Sequence, residues 1–290
     1  NNGGSMNLII NSDMSEYWNG DGGEKWVGFH RRLDVGLKPF GDKAMDAAKL
    51  FPHERVIDIG CGCGDTTFEL AHQVGPDGIV LGVDISNIIL QQAKNRRARL
   101  VQQDNISFEC VDAQSNHFGA KAFDLVFSRF GVMFFDDPNM AFTNIRRSLK
   151  FGGRLVFVCW QPVKSNQWVS LPLEIAENHV QLPPPTDPDE PGPFALGESD
   201  RVQSILNRAG FKNIEITVFE KQFNVGKNVD EAAFFLTQMG PASGVISDSK
   251  VDDITRERIY IELRDELGAY QTPEGVELNA ATWIVTARNL

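Results

Sequence analysis

The chain has 290 residues, with 28 Lys plus Arg against 39 Asp plus Glu and a formal charge of −11. That balance argues against a general nucleic-acid or anionic-membrane binder, which needs a basic footprint; no apolar run is long enough to span a bilayer. Hydrophobic residues at 42% and charged residues at 23% suit one large α/β domain carrying insertions.

In chain order, residues 1–6 read as an expression scar and are set aside. Residues 7–50 form an N-terminal arm. It places Trp18 and Trp26 around a Gly-rich turn, and Trp26, Phe29, Leu33, Leu37 and Phe40 then recur at three- and four-residue steps. That spacing predicts a helix with one apolar face. The helix either packs on a sheet with tryptophans as filler or serves as a lid whose aromatics close over a ligand, and the two are compatible.

Residues 51–160 carry a βα rhythm that opens at Val56-Ile57-Asp58-Ile59-Gly60-Cys61-Gly62-Cys63-Gly64-Asp65. A β-branched apolar run predicts a buried parallel strand. Glycines at alternate positions permit a sharp turn against a ligand. Asp65 then opens a helix, as its N-cap or in its first turn, where an acid suits the dipole. The dinucleotide pattern G-x-G-x-x-G fails, because Asp65 stands at its last glycine. The acid Asp58 below the loop favours a cofactor with cationic groups and no phosphate.

On these residues the stretch resembles the first motif of class I S-adenosylmethionine-dependent methyltransferases. The resemblance implies cofactor contacts from Asp58, Gly60, Cys61 and Gly62. It also extends, less specifically, to the arm, which covers the cofactor in a subgroup of that family and makes Trp18 and Trp26 candidates.

The second strand, Ile79–Asp84, ends on an acid whose two acceptor oxygens match a ribose diol. Asp84 and the adjoining Ile85 are therefore candidates, and Ser86 is the expected N-cap of a helix over 87–103. The basic residues Lys94, Arg96, Arg97 and Arg99 suit that helix's C-terminus without a ligand. The third strand, 106–111, leads to Asp112 and Ala113, where the resemblance implies contacts to the adenine amine and ring. The fourth strand begins at Phe123, and its tip, Ser128 and Arg129, resembles the family motif facing the methionine end of the cofactor. A surface ion pair is the alternative for Arg129. A helix from Asp137-Pro138 to about Lys150 and a fifth strand, Arg154–Trp160, complete this core.

Residues 161–197 form a Pro-rich acidic insertion, with Trp168 and Phe194 as candidate pocket walls. Residues 198–290 supply the end of the sheet: a helix over 198–209, a strand over 213–224, a helical cap at about 228–270 with Gly240–Gly244 between two helices, and a last strand over 275–287. The expected fold is α/β, a doubly wound Rossmann-like seven-stranded sheet. It is mostly parallel, with an antiparallel closing strand and helical cap insertions.

The implied chemistry is transfer of methyl from S-adenosylmethionine to an O, N, S or C nucleophile, leaving S-adenosylhomocysteine. The cofactor is already activated, so a general base is optional. None of the five histidines, His30, His53, His72, His117 and His179, is assigned that role. No metal constellation stands out. Four cysteines without a disulfide framework suggest a reducing, cytoplasmic setting. The expected partner is a small-molecule methyl acceptor, with no nucleic acid, no membrane and no oligomeric state assigned. A cofactor-binding protein without catalysis is the alternative, and a nicotinamide oxidoreductase a less favoured one.

Overall fold

The computed structural model describes residues 10–99, 104–184, 187, 190–248 and 250–290. The scar expected at residues 1–6 lies outside them.

The arm is α1 (Ser12–Trp18) followed by α2 (Asp21–Ala48). Leu33, Leu37, Phe40, Ala44, Met45 and Ala48 face the core at helical spacing, which is why so long a helix stays on the sheet. Next come β1 (Arg55–Ile59), α3 (Asp65–Val74), β2 (Ile79–Asp84), α4 (Asn87–Arg97), β3 (Ile106–Cys110), β4 (Phe123–Arg129), α5 (Pro138–Ser148) and β5 (Leu149–Trp160). The chain continues with α6 (Gln167–Glu177), α7 (Ser199–Arg208), β6 (Lys212–Gly226), α8 (Val229–Gln238), α9 (Pro241–Ser247), α10 (Asp253–Leu267), β7 (Gln271–Thr272) and β8 (Gly275–Arg288).

The strands form one sheet in the order β3-β2-β1-β4-β5-β8-β6, and the two-residue β7 pairs with β8. Pairs from β3 through β5 are parallel, and β8 runs antiparallel to β5, β6 and β7. Seven long strands thus match the expected sheet, and β7 adds a short hairpin. From β1 the chain winds outward through β2 to β3 and then restarts at β4 on the other side. That reversal opens a crevice at the strands' carboxyl ends. Val56, Ile57, Leu125, Val126 and Phe127 are fully buried, as strands covered on both faces require.

Three elements depart from expectation. The helix expected to reach Lys150 ends at Ser148, and strand pairing starts at Leu149. Within the Pro-rich insertion, α6 forms despite Pro172, and it buries Trp168, Leu171, Ile175 and Ala176. The cap holds three helices rather than two. Gly240 at φ 85° lets Pro241 open α9, and the Asp252 carboxylate caps α10 by accepting from Thr255 N at 2.7 Å.

Candidate active site

A cavity of about 1040 Å³ lies over the carboxyl ends of β1, β2, β3 and β4. The arm, the Pro-rich insertion and the α8–α9 corner close over it. Of the twelve candidate residues, Trp18, Trp26, Gly60, Gly62, Asp84, Ile85, Asp112, Ala113 and Arg129 line its wall. Asp58, Cys61 and Ser128 do not, and each has structural work beneath it.

The loop after β1 bends through Gly60 at φ 65°, Gly62 at φ 57° and Gly64 at φ 90°. A side chain at Gly60 would also collide with backbone, its Cβ falling 2.6 Å from Gly131 Cα. Gly60 N and Cys61 N donate to Val83 O, and Gly62 N donates to Asp84 Oδ2 at 2.9 Å. Ser86 N donates to Asp84 Oδ1 at 2.9 Å. Two chain segments therefore converge on one carboxylate at the wall of the cavity. Burial pushes the Asp84 carboxyl up, opposed by backbone N–H groups of Ser86, Gly62 and Ile85.

Ser128 is fully buried; its hydroxyl donates to Ile59 O at 2.8 Å and accepts from Gly131 N. It ties β1 to the turn after β4. Asp58 is also fully buried. Its Oδ2 accepts from the Thr66 and Thr67 hydroxyls at 2.7 and 2.6 Å, while Oδ1 has no partner among the described residues. It anchors the first turn of α3 to β1. Burial raises its carboxyl to about 6 against the Thr67 and Thr66 hydroxyls and the Arg129 charge. Burial likewise drives the Cys61 thiol well above its ordinary value, so it fills space as a neutral group.

The helix after the glycine loop starts at Asp65, with Gly64 as its N-cap. Arg96 Nη2 reaches Asp65 at 2.6 Å, and Arg96 Nη1 donates to Cys63 O at 2.6 Å. His30 Nε2 lies 3.2 Å from Asp65 Oδ2. Burial pushes the Asp65 carboxyl up, but the bonds from His30 and Arg96 outweigh it and hold it at about 2. So the arm, the glycine loop and α4 are clamped behind the cavity. The basic run on α4 was expected to need no ligand, and Arg96 has its partners within the chain, where it braces this loop.

Arg129 is committed as well. Its guanidinium meets Asp34 of α2 at 3.0 Å, the ion pair that the sequence left as the alternative to a ligand role.

The arm rests on the strand tips through named bonds. Ser86 Oγ donates to Trp18 O at 2.6 Å, and Asn19 Nδ2 donates to Ile85 O at 3.1 Å. Asn11 Nδ2 donates to Phe134 O at 2.7 Å. Asp112, 2% exposed, accepts from Gln114 N on one oxygen and from Ile10 N and Asn11 N on the other. Trp18 packs edge-on against Trp26 and Phe134, at 5.7 and 5.2 Å between ring centres. Neither Asn11 nor Asn19 was singled out from sequence, because their partners are backbone groups far away in the chain.

The other half of the cavity is aromatic. Phe130, at φ 60°, stacks on Trp160 with centres 4.2 Å apart and planes 17° from parallel. Trp168 and Phe223 continue the wall, and both sequence-predicted pocket residues, Trp168 and Phe194, line it.

A parallel sheet with a switch-point cavity, a triple-glycine bend and acids at successive strand tips defines an adenosyl-cofactor fold. The sequence model of the family described as "Methyltransferase domain" matches residues 50–210. The chain therefore belongs to that family, of the class I S-adenosylmethionine-dependent kind. It is 35% identical over 119 residues to aklanonic acid methyltransferase DauC of Streptomyces sp. (strain C5), covering 41% of this chain and 54% of that protein. It is 34% identical over 113 residues to demethylmenaquinone methyltransferase of Symbiobacterium thermophilum, covering 39% and 44%. The chain spans about half the length of these curated relatives. YcgJ of Bacillus subtilis shares the fold at a TM-score of 0.55 and 18% identity, over 89% of this chain and 98% of that one. So does Haemonchus contortus phosphoethanolamine N-methyltransferase 2, in complex with S-adenosylmethionine, at 0.51 and 17%, over 86% and 52%.

Proposed function

We propose that this protein transfers a methyl group from S-adenosylmethionine to a small molecule bound in the same cavity. The observation that carries the reading is Asp84. Its oxygens hold Gly62 N and Ser86 N and keep acceptor capacity for a vicinal diol, at the wall of the cavity. The rest of that end suits the cofactor. The glycine bend brings backbone close to a ligand, and Trp26 Nε1 comes within 3.4 Å of where a Gly62 Cβ would stand. Two carboxylates on the cavity wall, Asp84 and Asp112, favour a cationic ligand there. A dinucleotide fits less well, because the Asp65 carboxylate already occupies the first turn of α3, where a pyrophosphate would lie.

When bound, S-adenosylmethionine supplies a methyl group already activated on a sulfonium. This chain's part is placement and exclusion of water. Asp84 would hold the ribose, and Ile85 and Ala113 would flank the adenine. Asp112 divides its capacity between adenine and the arm, and Trp18 and Trp26 shut the site from solvent. The nucleophile would be an O, N, S or C atom; whether it needs a general base depends on its own pKa, and none is assigned among the Tyr, Lys, Asp and Glu side chains that line the cavity.

Titration calorimetry with S-adenosylhomocysteine tests the binding half, and transfer of labelled methyl to a metabolite extract tests the catalytic half. Binding without transfer to any acceptor would leave a cofactor-binding protein instead.

A further inference from the structure

We infer that the methyl acceptor is an uncharged, ring-rich molecule, and that the cavity rejects phosphorylated or otherwise anionic acceptors. This rests on the placement of the cofactor at the Asp84 end. The cavity, at about 1040 Å³, exceeds the roughly 300–1,000 Å³ of pockets that hold one small ligand, so a second molecule has room beside the first.

What remains for that molecule is walled by Phe130, Trp160, Trp168, Phe223 and Phe235, whose ring centres follow one another at 4.2 to 6.3 Å. The elements presenting them are the tips of β4 and β5, α6, β6 and α8. The turn carrying Phe130 touches the glycine loop, Gly131 packing on Gly60. The aromatic chamber therefore begins beside the cofactor end. Phe130 holds a left-handed backbone that a bulky residue rarely adopts. Its ring lies flat on Trp160, a local strain spent on shaping this wall.

The charges decide between acceptor classes. Among the described residues lining the cavity, the cations are Lys25 and Arg129. Lys25 pairs with Asp21 at 2.8 Å and Arg129 with Asp34 at 3.0 Å, so each cation already has a carboxylate partner with which an anion would compete. The exposed side chains of Glu190, in the Pro-rich insertion, and Glu198, just after it at the start of α7, line the cavity. An anionic acceptor would meet those carboxylates and lose its hydration without an uncontested countercharge. A neutral aromatic would lose only the weaker hydration of a neutral polar group and gain ring contacts.

The test uses the 290-residue chain with S-adenosylhomocysteine bound and a matched pair of probes, 2-naphthol and 2-naphthyl phosphate, followed by calorimetry. The expected result is that 2-naphthol binds roughly ten-fold or more tighter than its phosphate, since desolvating an unpaired anion is costly. Met239→Lys, which puts a cation on the cavity wall, should narrow or reverse that preference. Trp168→Ala should weaken 2-naphthol by several-fold while S-adenosylhomocysteine affinity stays unchanged, which also reports an intact fold. If the cofactor product binds and the phosphate binds as well as 2-naphthol, or 2-naphthol ignores the Trp168 substitution, the acceptor inference is wrong and the cofactor reading stands. If S-adenosylhomocysteine itself fails to bind, both fall.

Discussion

Replacing Asp84 with alanine removes the group on which the cofactor reading turns. In the free protein the carboxylate accepts from Gly62 N and Ser86 N, both at 2.9 Å. Losing it leaves two N–H groups with water as their only partner, a cost of about 1–3 kcal/mol in stability because the site is only half-buried. Towards the cofactor the loss is larger. Two hydrogen bonds from ribose hydroxyls to a carboxylate are worth roughly 1.5–3 kcal/mol each, so the pair amounts to about 3 kcal/mol or more. At 1.4 kcal/mol per decade, Kd for S-adenosylhomocysteine should rise by roughly 100-fold or beyond. Calorimetry reads the affinity, and a thermal melt on the same sample confirms the fold. Asp84→Asn should fall between, since one oxygen remains to accept. A folded Asp84→Ala protein whose affinity lies within about three-fold of the parent would refute the assignment.

Other consequences follow from the same geometry. Asp58 titrates near 6 in the folded protein against an ordinary 3.8. Its raised value means that the folded state holds the proton more tightly. That stability is fully present below about pH 4 and is lost as pH rises towards 6, up to roughly 3 kcal/mol at 1.36 kcal/mol per unit. Asp58→Asn should flatten this stretch of the stability-pH profile, measured by urea unfolding, and should not cost stability at pH 7. Asp65, held at about 2, does the reverse, contributing above its ordinary 3.8 and losing that contribution as pH falls. Arg96→Leu should therefore raise the pH midpoint of acid unfolding, and an unmoved midpoint would show that the clamp contributes nothing. Asn11→Ala removes the bond to Phe134 O, about 1 kcal/mol of arm docking, and should speed amide exchange in α1 without shifting that of β1. Gly60→Ala combines a left-handed φ with backbone contact and should abolish cofactor binding even where the protein still folds, as a binding titration and a melt together will tell.

The sheet was legible because its rhythm is local. A β-branched run, a glycine bend and an N-cap repeat along 55–160, and acids at strand tips fall where the crevice opens. Asp84 and Asp112, named on that basis, line the cavity. Asp58 and Ser128, named by the same logic, do not line the cavity. Strands β1 and β4 are buried on both faces, so their sequences carry no alternation to say which side chains point to the cavity. Both residues turned out to tie elements together behind it. The helix α6 was hidden by Pro172 within it and by the Pro-rich run that follows, although Trp168, Leu171 and Ile175 keep a helical spacing. The packing of α2 was legible in its apolar spacing, but the bonds that fix the start of the arm were not. Ile10 N and Asn11 N find Asp112 across about a hundred residues, and backbone donors leave no mark in a sequence. The partners of Arg96, Asp65 and Cys63 O, were not legible for a related reason: they lie at the glycine loop and the start of α3, about thirty residues back in the chain.

The central claim is that an adenosyl sulfonium lies across the strand tips with its ribose on Asp84. A crystal structure of the protein grown with S-adenosylhomocysteine measures this directly. The account predicts both ribose hydroxyls donating to the Asp84 carboxylate, the amino-acid tail at the Gly60–Gly62 bend, and open space towards Trp160 and Trp168. Electron density for the ligand elsewhere, or a sugar turned away from Asp84, would contradict it.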